Sequence, residues 1–70
     1  MASNASKHFG LIQQVWMGNM KKLDQAKYGA PSDLLGKLQE AANRVDDDAE
    51  KVREACLEVL RTVAKDGETI

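Results

Sequence analysis

The chain has 70 residues, of which 43% are apolar, 30% are charged and three are aromatic, and its formal net charge is −1. A chain of this length forms at most one domain with a small core, which usually needs a disulfide, a metal or self-association for stability. One cysteine and one histidine exclude an intrachain disulfide and a four-ligand zinc site, so self-association remains.

The N-terminal part is predicted to form helix 1 over residues 4–28. Leu11 and Val15 lie beside its main apolar stripe and widen the apolar arc to about half of the circumference. A helix with so wide an arc needs more than one neighbouring helix. Whether Gly18-Asn19 interrupts helix 1 stays open from the sequence. The main stripe follows helical spacing and comprises Ala5, Phe9, Ile12, Trp16, Met20 and Leu23.

A turn over residues 29–32 is the strongest break in the sequence. Gly29 is expected to end helix 1, and Ser32 is expected to cap helix 2 just after Pro31. Helix 2 is predicted over residues 33–65, and a flexible tail follows at 66–70. Apolar residues in helix 2 alternate in spacings of three and four, which is typical of a bundle seam. The seam comprises Leu35, Leu38, Ala42, Val45, Ala49, Val52, Cys56, Val59 and Val63.

These elements predict an all-α fold with a single domain, an antiparallel two-helix hairpin that dimerises into a four-helix bundle or coiled-coil-like assembly. Helix 1 would end opposite Cys56, so helix 2 would extend about 12 Å beyond it. The apolar side chains in that overhang stay wet in a monomer, and burying each is worth about 1.5–3 kcal/mol. A second copy would cover them. The predicted self-association residues are Val52, Cys56, Leu57, Val59, Leu60 and Val63.

Charge differs between the two predicted helices. Residues 1–31 carry four lysines and one aspartate, whereas residues 32–70 carry six basic and ten acidic side chains. These opposite signs favour antiparallel pairing of helix 1 with helix 2. Asp46-Asp47-Asp48 is predicted to be a solvated face of helix 2, because three successive side chains point in different directions and do not converge on a metal.

The sequence has none of the common catalytic motifs. It carries no glycine-rich phosphate loop, no HExxH and no paired cysteines. Cys56 lies on the seam, where a thiol acts as a small apolar side chain, and His8 lies near the N-terminus. We therefore predict a protein that is not an enzyme and needs no cofactor or metal. Its apolar stretches are too short for a membrane span or a secretory signal, so a cytoplasmic location is expected.

The residues around Trp16 are the best candidates for a binding surface. Tryptophan is enriched at interface hot spots, and methionine adapts to a partner. Trp16 and Met20 also fit core positions, but Met17 points about 100° away from Trp16 and is expected to be exposed. We predict a small regulator, adaptor or inhibitor that binds a partner protein through helix 1. The predicted contacts are Leu11, Val15, Trp16, Met17 and Met20, with Lys21 and Lys22 at the rim.

The predicted architecture is similar to Rop-type dimeric RNA-binding bundles, and this resemblance implies an alternative function in binding RNA or other nucleic acid. Lys7, Gln14, Lys21 and Gln25 would share one side of helix 1, although the acidic pI of about 5.7 opposes this alternative. The turn Ala30-Pro31-Ser32-Asp33 also resembles that of type III secretion needle subunits, which implies a hairpin subunit of a secretion system. Binding of helix 1 to a membrane surface is weaker still, and no membrane partner is expected.

Overall fold

A computed structural model describes residues 2–70, and the predicted all-α fold class is confirmed for this part of the chain. Its secondary structure consists of five α-helices, one 3-10 helix and one isolated β-bridge. The described residues form a compact body of 37 × 21 × 17 Å. The elements are α1 (Asn4–Lys7), α2 (Phe9–Asn19), the 3-10 helix (Met20–Lys22), α3 (Gln25–Tyr28), α4 (Pro31–Asn43) and α5 (Ala49–Thr62).

The three longer helices, α2, α4 and α5, pack against one another around one core. Each contributes a fully buried side chain, namely Ile12, Leu38 and Val52. The short helices α1 and α3 both pack against α4. The seam predicted for helix 2 therefore marks much of the core, although the structure also buries residues on either side of it. The buried apolar residues are Ala5, Ile12, Val15, Leu23, Leu34, Leu38, Ala42, Val52, Cys56, Leu57, Leu60, Val63 and Ala64.

The predicted two-helix hairpin is not confirmed, because helix 2 is divided into α4 and α5. Residues 44–48 separate the two helices, and Asp48 caps α5 by accepting hydrogen bonds from the backbone N–H groups of Glu50 (2.9 Å) and Lys51 (3.3 Å). Aspartate is a poor helix former and a strong N-cap, since its carboxylate competes for backbone N–H groups. Asp46-Asp47-Asp48 is thus an interhelical connection and not the predicted helical face.

Helix 1 is also divided, into α1, α2, the 3-10 helix and α3. The α-helical hydrogen-bonding pattern of α2 ends at Asn19, whose Nδ2 donates to the carbonyl of Val15 (2.8 Å). Leu23 then adopts an extended backbone, and Asp24 caps α3 by accepting from the N–H of Ala26 (3.0 Å). The sequence left open whether helix 1 is interrupted at Gly18-Asn19. In the structure, α2 ends at Asn19 and the 3-10 helix begins at Met20.

The turn between α3 and α4 lies at the predicted place with a small shift. Gly29 has a φ of 79°, a left-handed conformation that suits glycine, and it ends α3. Pro31 occupies the first turn of α4, where its missing N–H leaves no intrahelical hydrogen bond unmade. Helix α4 therefore begins two residues before the predicted start, and Ala30 takes the capping position that was predicted for Ser32.

Two asparagines join α1 to the end of α4. Asn4 Nδ2 donates to the carbonyls of Ala42 (3.1 Å) and Val45 (2.6 Å), and Asn43 Oδ1 accepts from the N–H of Ala5 (2.9 Å). The first N–H groups and the last carbonyls of helices have no intrahelical partners. Asn4 thus pairs a carbonyl at the end of α4, and Asn43 pairs an N–H at the start of α1. These hydrogen bonds fix α1 against α4.

The C-terminal residues 66–70, which were predicted to be a flexible tail, contact the helical body. Lys27 Nζ donates to Asp66 Oδ1 (2.9 Å), Lys22 Nζ donates to the carbonyl of Thr69 (3.1 Å), and Ile70 packs against the core. Just before them, Leu23 and Ala64 form the antiparallel β-bridge. The basic side chains of the N-terminal half thus reach the C-terminal segment.

The predicted overhang of helix 2 is absent from the described structure. Because the chain folds back at residues 44–48, α2 packs along α5, and most of the residues that were expected to be wet are buried. Five of the six predicted self-association residues are buried in this single chain, and Val59 is half-buried. Their burial removes the observation from which self-association at these positions was inferred. The five buried residues are Val52, Cys56, Leu57, Leu60 and Val63.

Candidate protein-binding surface

The predicted partner-binding residues lie at several depths around α2. Val15 is buried in the core with 7% of its surface exposed, whereas Met17 is 68% exposed and Met20 is 42% exposed. Leu11 and Trp16 are half-buried and pack against the core. The structure thus brings Trp16, Met17 and Met20 to one side of the helix, and it assigns Val15 to the interior.

Trp16 contributes to both the core and the surface. Its ring packs against buried residues, and its indole Nε1 is buried without a hydrogen-bond partner among residues 2–70. A buried N–H without a partner is costly, typically by about 1–3 kcal/mol. Trp16 therefore lies at the edge of the core, and the described chain provides no acceptor for its indole N–H.

Leu11 lies on the opposite side of α2 from Trp16. Together with Gln14 and Gly18 it lines an open groove of about 350 Å³ whose other wall is formed by Arg53 and Leu57 of α5. Because Leu11 and Trp16 flank α2 on different sides, the predicted patch does not form one continuous apolar surface.

The two predicted rim lysines differ in their surroundings. Lys21 is exposed, whereas Lys22 is half-buried and donates to the carbonyl of Thr69. Lys7 and Lys27 bind Asp47 and Asp66, with Nζ to carboxylate distances of 2.8 and 2.9 Å. The basic residues near helix 1 are thus largely engaged within the chain, which leaves little concentrated positive surface for nucleic acid.

The outward side of α2 was not recognised as a unit from the sequence. It consists of five exposed residues, Gly10, Gln13, Gln14, Met17 and Gly18, which we call the α2 outer face. None of the eleven residues of α2 is charged. A run of surface residues without charge is visible in the sequence, but its outward position follows only from the packing of Ile12 and Val15.

The two glycines of the α2 outer face have no packing role within residues 2–70. A Cβ added at Gly10 or Gly18 would meet no atom within 4 Å apart from the adjoining backbone of its own helix, and neither residue has a positive φ. Glycine inside a helix is less stable than alanine by about 0.5–1 kcal/mol. Intrachain packing therefore does not explain glycine at these two positions.

The acidic connection between α4 and α5 binds its neighbours by ion pairs. Asp47 accepts a hydrogen bond from Lys7 Nζ (2.8 Å) and lies 2.6 Å from His8 Nε2, and these contacts lower the pKa of Asp47. Asp46 accepts from Lys51 Nζ (2.8 Å), which lowers the pKa of Asp46 and raises that of Lys51. These exposed carboxylates attach α1 and the start of α5 to the connection.

Cys56 is fully buried, and burial raises the pKa of its thiol. Its Sγ lies 3.8 Å from the carbonyl oxygen of Leu38, so the thiol acts as a weak donor inside the core. Within residues 2–70, no group of three His, Cys, Asp or Glu side chains is placed to hold a metal. Over the same range, no helix has both the length and the apolar character needed to cross a bilayer.

The fold and its surfaces describe a small all-α protein with an uncharged, exposed helix face. Comparison with protein families, curated proteins and solved structures gives no significant match to this chain. Its function is therefore inferred from the surfaces described above.

Proposed function

We propose that this chain is a protein-interaction module that binds a partner protein through the α2 outer face, without catalysis. The observation that carries the proposal is the absence of charge along all eleven residues of α2, although this helix lies at the surface with Met17 68% exposed. Interface cores are depleted in Lys, Glu and Asp and enriched in Met and aromatic side chains.

The composition of the α2 outer face suits a closely packed partner element. Met17 provides a flexible apolar side chain at its centre, and Gln13 and Gln14 provide hydrogen-bonding groups without charge. Gly10 and Gly18 would let a partner backbone approach α2 closely. This gives a reason for glycine at these positions although it lowers the stability of the free helix. Trp16 and Met20 extend the apolar surface along one edge, and Lys21 adds a charge at its end.

A regulator, adaptor or inhibitor role remains our proposal for what this binding accomplishes. Nucleic-acid binding has less support, because α2 has no basic residue and Lys7 is paired with Asp47. The alternative of a secretion-system subunit was based on the turn at residues 30–33, and no other observation favours it. Self-association also remains a proposal, and it involves the groove between α4 and α5 and not the predicted residues alone.

An exchange of glutamine for glutamate at two positions tests the binding surface. Gln14→Glu adds a charge to the α2 outer face, and Gln25→Glu adds the same charge to α3, at a residue that is equally classed as exposed. Proteins captured from cells that natively express the chain are compared by quantitative mass spectrometry for the wild type and both variants. We expect Gln14→Glu to lower the recovery of a specific partner several-fold, because a charge would be buried in the complex.

Met17→Glu serves as the stronger variant in the same experiment and should abolish recovery of that partner. Circular dichroism melts of all variants establish that each remains folded, as expected for exposed positions. Equal recovery of every captured protein by the wild type, Gln14→Glu and Met17→Glu would exclude the α2 outer face. Recovery that is lost after nuclease treatment, and that falls steeply with salt, would instead favour the nucleic-acid alternative.

A further inference from the structure

We propose that the groove between α4 and α5 is a homodimerisation surface, in which the α4–α5 pair of a second copy of this chain is seated. This surface is separate from the α2 outer face, so the two proposals stand or fall independently. The groove is open, has a volume of about 470 Å³, and runs along the side of α4 and α5 away from α2. Its apolar floor is formed by Ala41, Val45, Ala55 and Val59, all of which are half-buried.

The two walls of the groove carry opposite net charge. The α4 wall presents Lys37, Glu40 and Arg44, with a net charge of +1, and the α5 wall presents Glu58 beside the uncharged Thr62, with a net charge of −1. Among residues 2–70 there are five ion pairs, and none includes a charged residue of these walls. The wall charges are therefore available to a partner.

This arrangement is complementary to itself. A two-fold axis along the groove places the α4 wall of one copy over the α5 wall of the other, and it repeats that contact on the opposite side. Lys37 of each copy then faces Glu58 of the other, and Arg44 adds a second positive charge about 10 Å further along the same wall. A foreign partner would need a matched pair of charged walls of its own, whereas a second copy has them by symmetry.

The chain has enough accessible surface for a dimer interface of standard size. A standard interface buries about 800 Å² on each partner, which is less than a fifth of the 4488 Å² accessible surface of the described chain. Helices α4 and α5, of 13 and 14 residues, are each about 20 Å long. Two such pairs packed face to face would form a four-helix arrangement of two layers. The small side chains of Ala41 and Ala55 at its centre would permit close approach.

Sedimentation equilibrium of the full chain over about 10 μM to 1 mM tests the association. We expect the mean mass to rise from that of a monomer towards that of a dimer, with methyl NMR shifts of Val45 and Val59 changing over the same concentrations. A monomer mass at every concentration, with constant methyl shifts, would overturn the proposal. Association that moves the methyl signal of Met17 but not those of Val45 and Val59 would also overturn it.

Charge reversal tests which walls meet. In the acidic variant, Lys37→Glu with Arg44→Glu, both walls become negative, and in the basic variant, Glu58→Lys, both walls carry a net positive charge. Each variant alone should dimerise at least about tenfold more weakly than the wild type, because like charges face each other. An equimolar mixture should regain association as a heterodimer, since each wall then meets its opposite.

The mixture is the decisive measurement, because misfolded variants would not regain association when they are mixed. Restored association of the two variants supports the groove pairing, and retained self-association of each variant alone contradicts it. If both variants are monomeric and the mixture is also monomeric while both melt like the wild type, the opposed walls do not meet and the proposal is wrong. A variant that fails to fold is replaced by Lys37→Glu alone as the acidic partner.

Discussion

Helices α5 and α2 both cover the core, yet they are stabilised in different ways. Helix α5 begins with a side-chain cap from Asp48, has Glu50 in its first turn and has Arg61 in its last turn, where Arg61 pairs with Glu54 at 2.8 Å. Helix α2 has no side-chain cap at His8, no charged residue and two exposed glycines. Caps and charges that oppose the helix dipole each contribute about 0.3–2 kcal/mol.

This difference shows that the residues of α5 and α2 have different physical reasons. The capping and charged residues at the two ends of α5, namely Asp48, Glu50 and Arg61, are accounted for by the stability of α5 itself. The outer residues of α2 lower its intrinsic stability, so the free chain does not account for them. The inner side of α2 contributes Ile12 and Val15 to the core like any other helix. Only its outer side departs from the pattern, and that side is the proposed binding surface.

The largest expected effect separates the two sides of α2. Ile12→Ala should lower the free energy of unfolding by about 2–5 kcal/mol, because Ile12 is fully buried and its truncation leaves a cavity. Met17→Ala should change it by less than about 0.5 kcal/mol, since Met17 is 68% exposed. Urea denaturation of both variants measures this contrast. A loss of more than about 2 kcal/mol in Met17→Ala would mean that the outer face is part of the core.

Sequence periodicity predicted the helical class and much of the core but not the path of the chain. The heptad spacing continues from Ala42 through Val45 to Ala49 without interruption, so it predicted one helix across residues 44–48. The hydrogen bonds of Asp48 determine the break there, and capping is a local preference that periodicity does not report. An aspartate with strong capping preference within an unbroken apolar pattern is the signal in the sequence that indicates such a break.

Removal of that cap tests the stability of α5 directly. Asp48→Ala should lower the free energy of unfolding by about 1 kcal/mol, because the N–H groups of Glu50 and Lys51 lose their acceptor. Asp48→Asn keeps an acceptor oxygen and should retain most of the stability. Thermal melts of the two variants distinguish them. Equal destabilisation by alanine and asparagine would indicate that charge, and not the cap hydrogen bond, stabilises this end of α5.

The candidate surface was predicted in part. Exposure of Met17 followed from its angular distance from Trp16, because that distance depends only on helix geometry. The position of Val15 in the core could not be predicted, since it depends on α5 packing along α2 after the turn at residues 44–48. The groove walls at Lys37 and Glu58 depend on the same turn, which brings residues 21 positions apart to one groove.

A smaller effect, of opposite sign, is expected at the glycines. Gly18→Ala should raise the free energy of unfolding by up to about 1 kcal/mol, because the added Cβ meets no atom and the unfolded chain loses freedom. Gly36→Ala in α4 is the matched control, since its Cβ also meets nothing within 4 Å. Both should stabilise the free chain in urea titrations, but only Gly18→Ala should weaken partner recovery. Equal recovery by both variants would remove the close approach from the proposed interface.

The smallest expected effect comes from acidification, which should act on the contacts of Asp46 and Asp47 and leave the middle of α2 unchanged. Lys51 lowers the pKa of Asp46 below its usual value of 3.8, and Lys7 with His8 does the same for Asp47. A lowered pKa means that the ionised carboxylate stabilises the fold above pH 3.8, and that this contribution is lost as the pH falls through the folded value. Helix α2 has no titratable side chain.

Backbone amide NMR between pH 6 and pH 2.5 measures this difference. We expect the amides of Glu50 and Lys51, at the start of α5, to shift and lose protection below about pH 4. The amides of Gln13 and Gln14 should keep their shifts until the whole chain unfolds. Asp46→Asn removes the carboxylate that contacts Lys51 Nζ and should reduce the response of Lys51, while the amide hydrogen bonds to Asp48 remain. A matching acid transition at Gln13 and Gln14 would show that the stabilities of α2 and α5 are coupled more tightly than their different surfaces suggest.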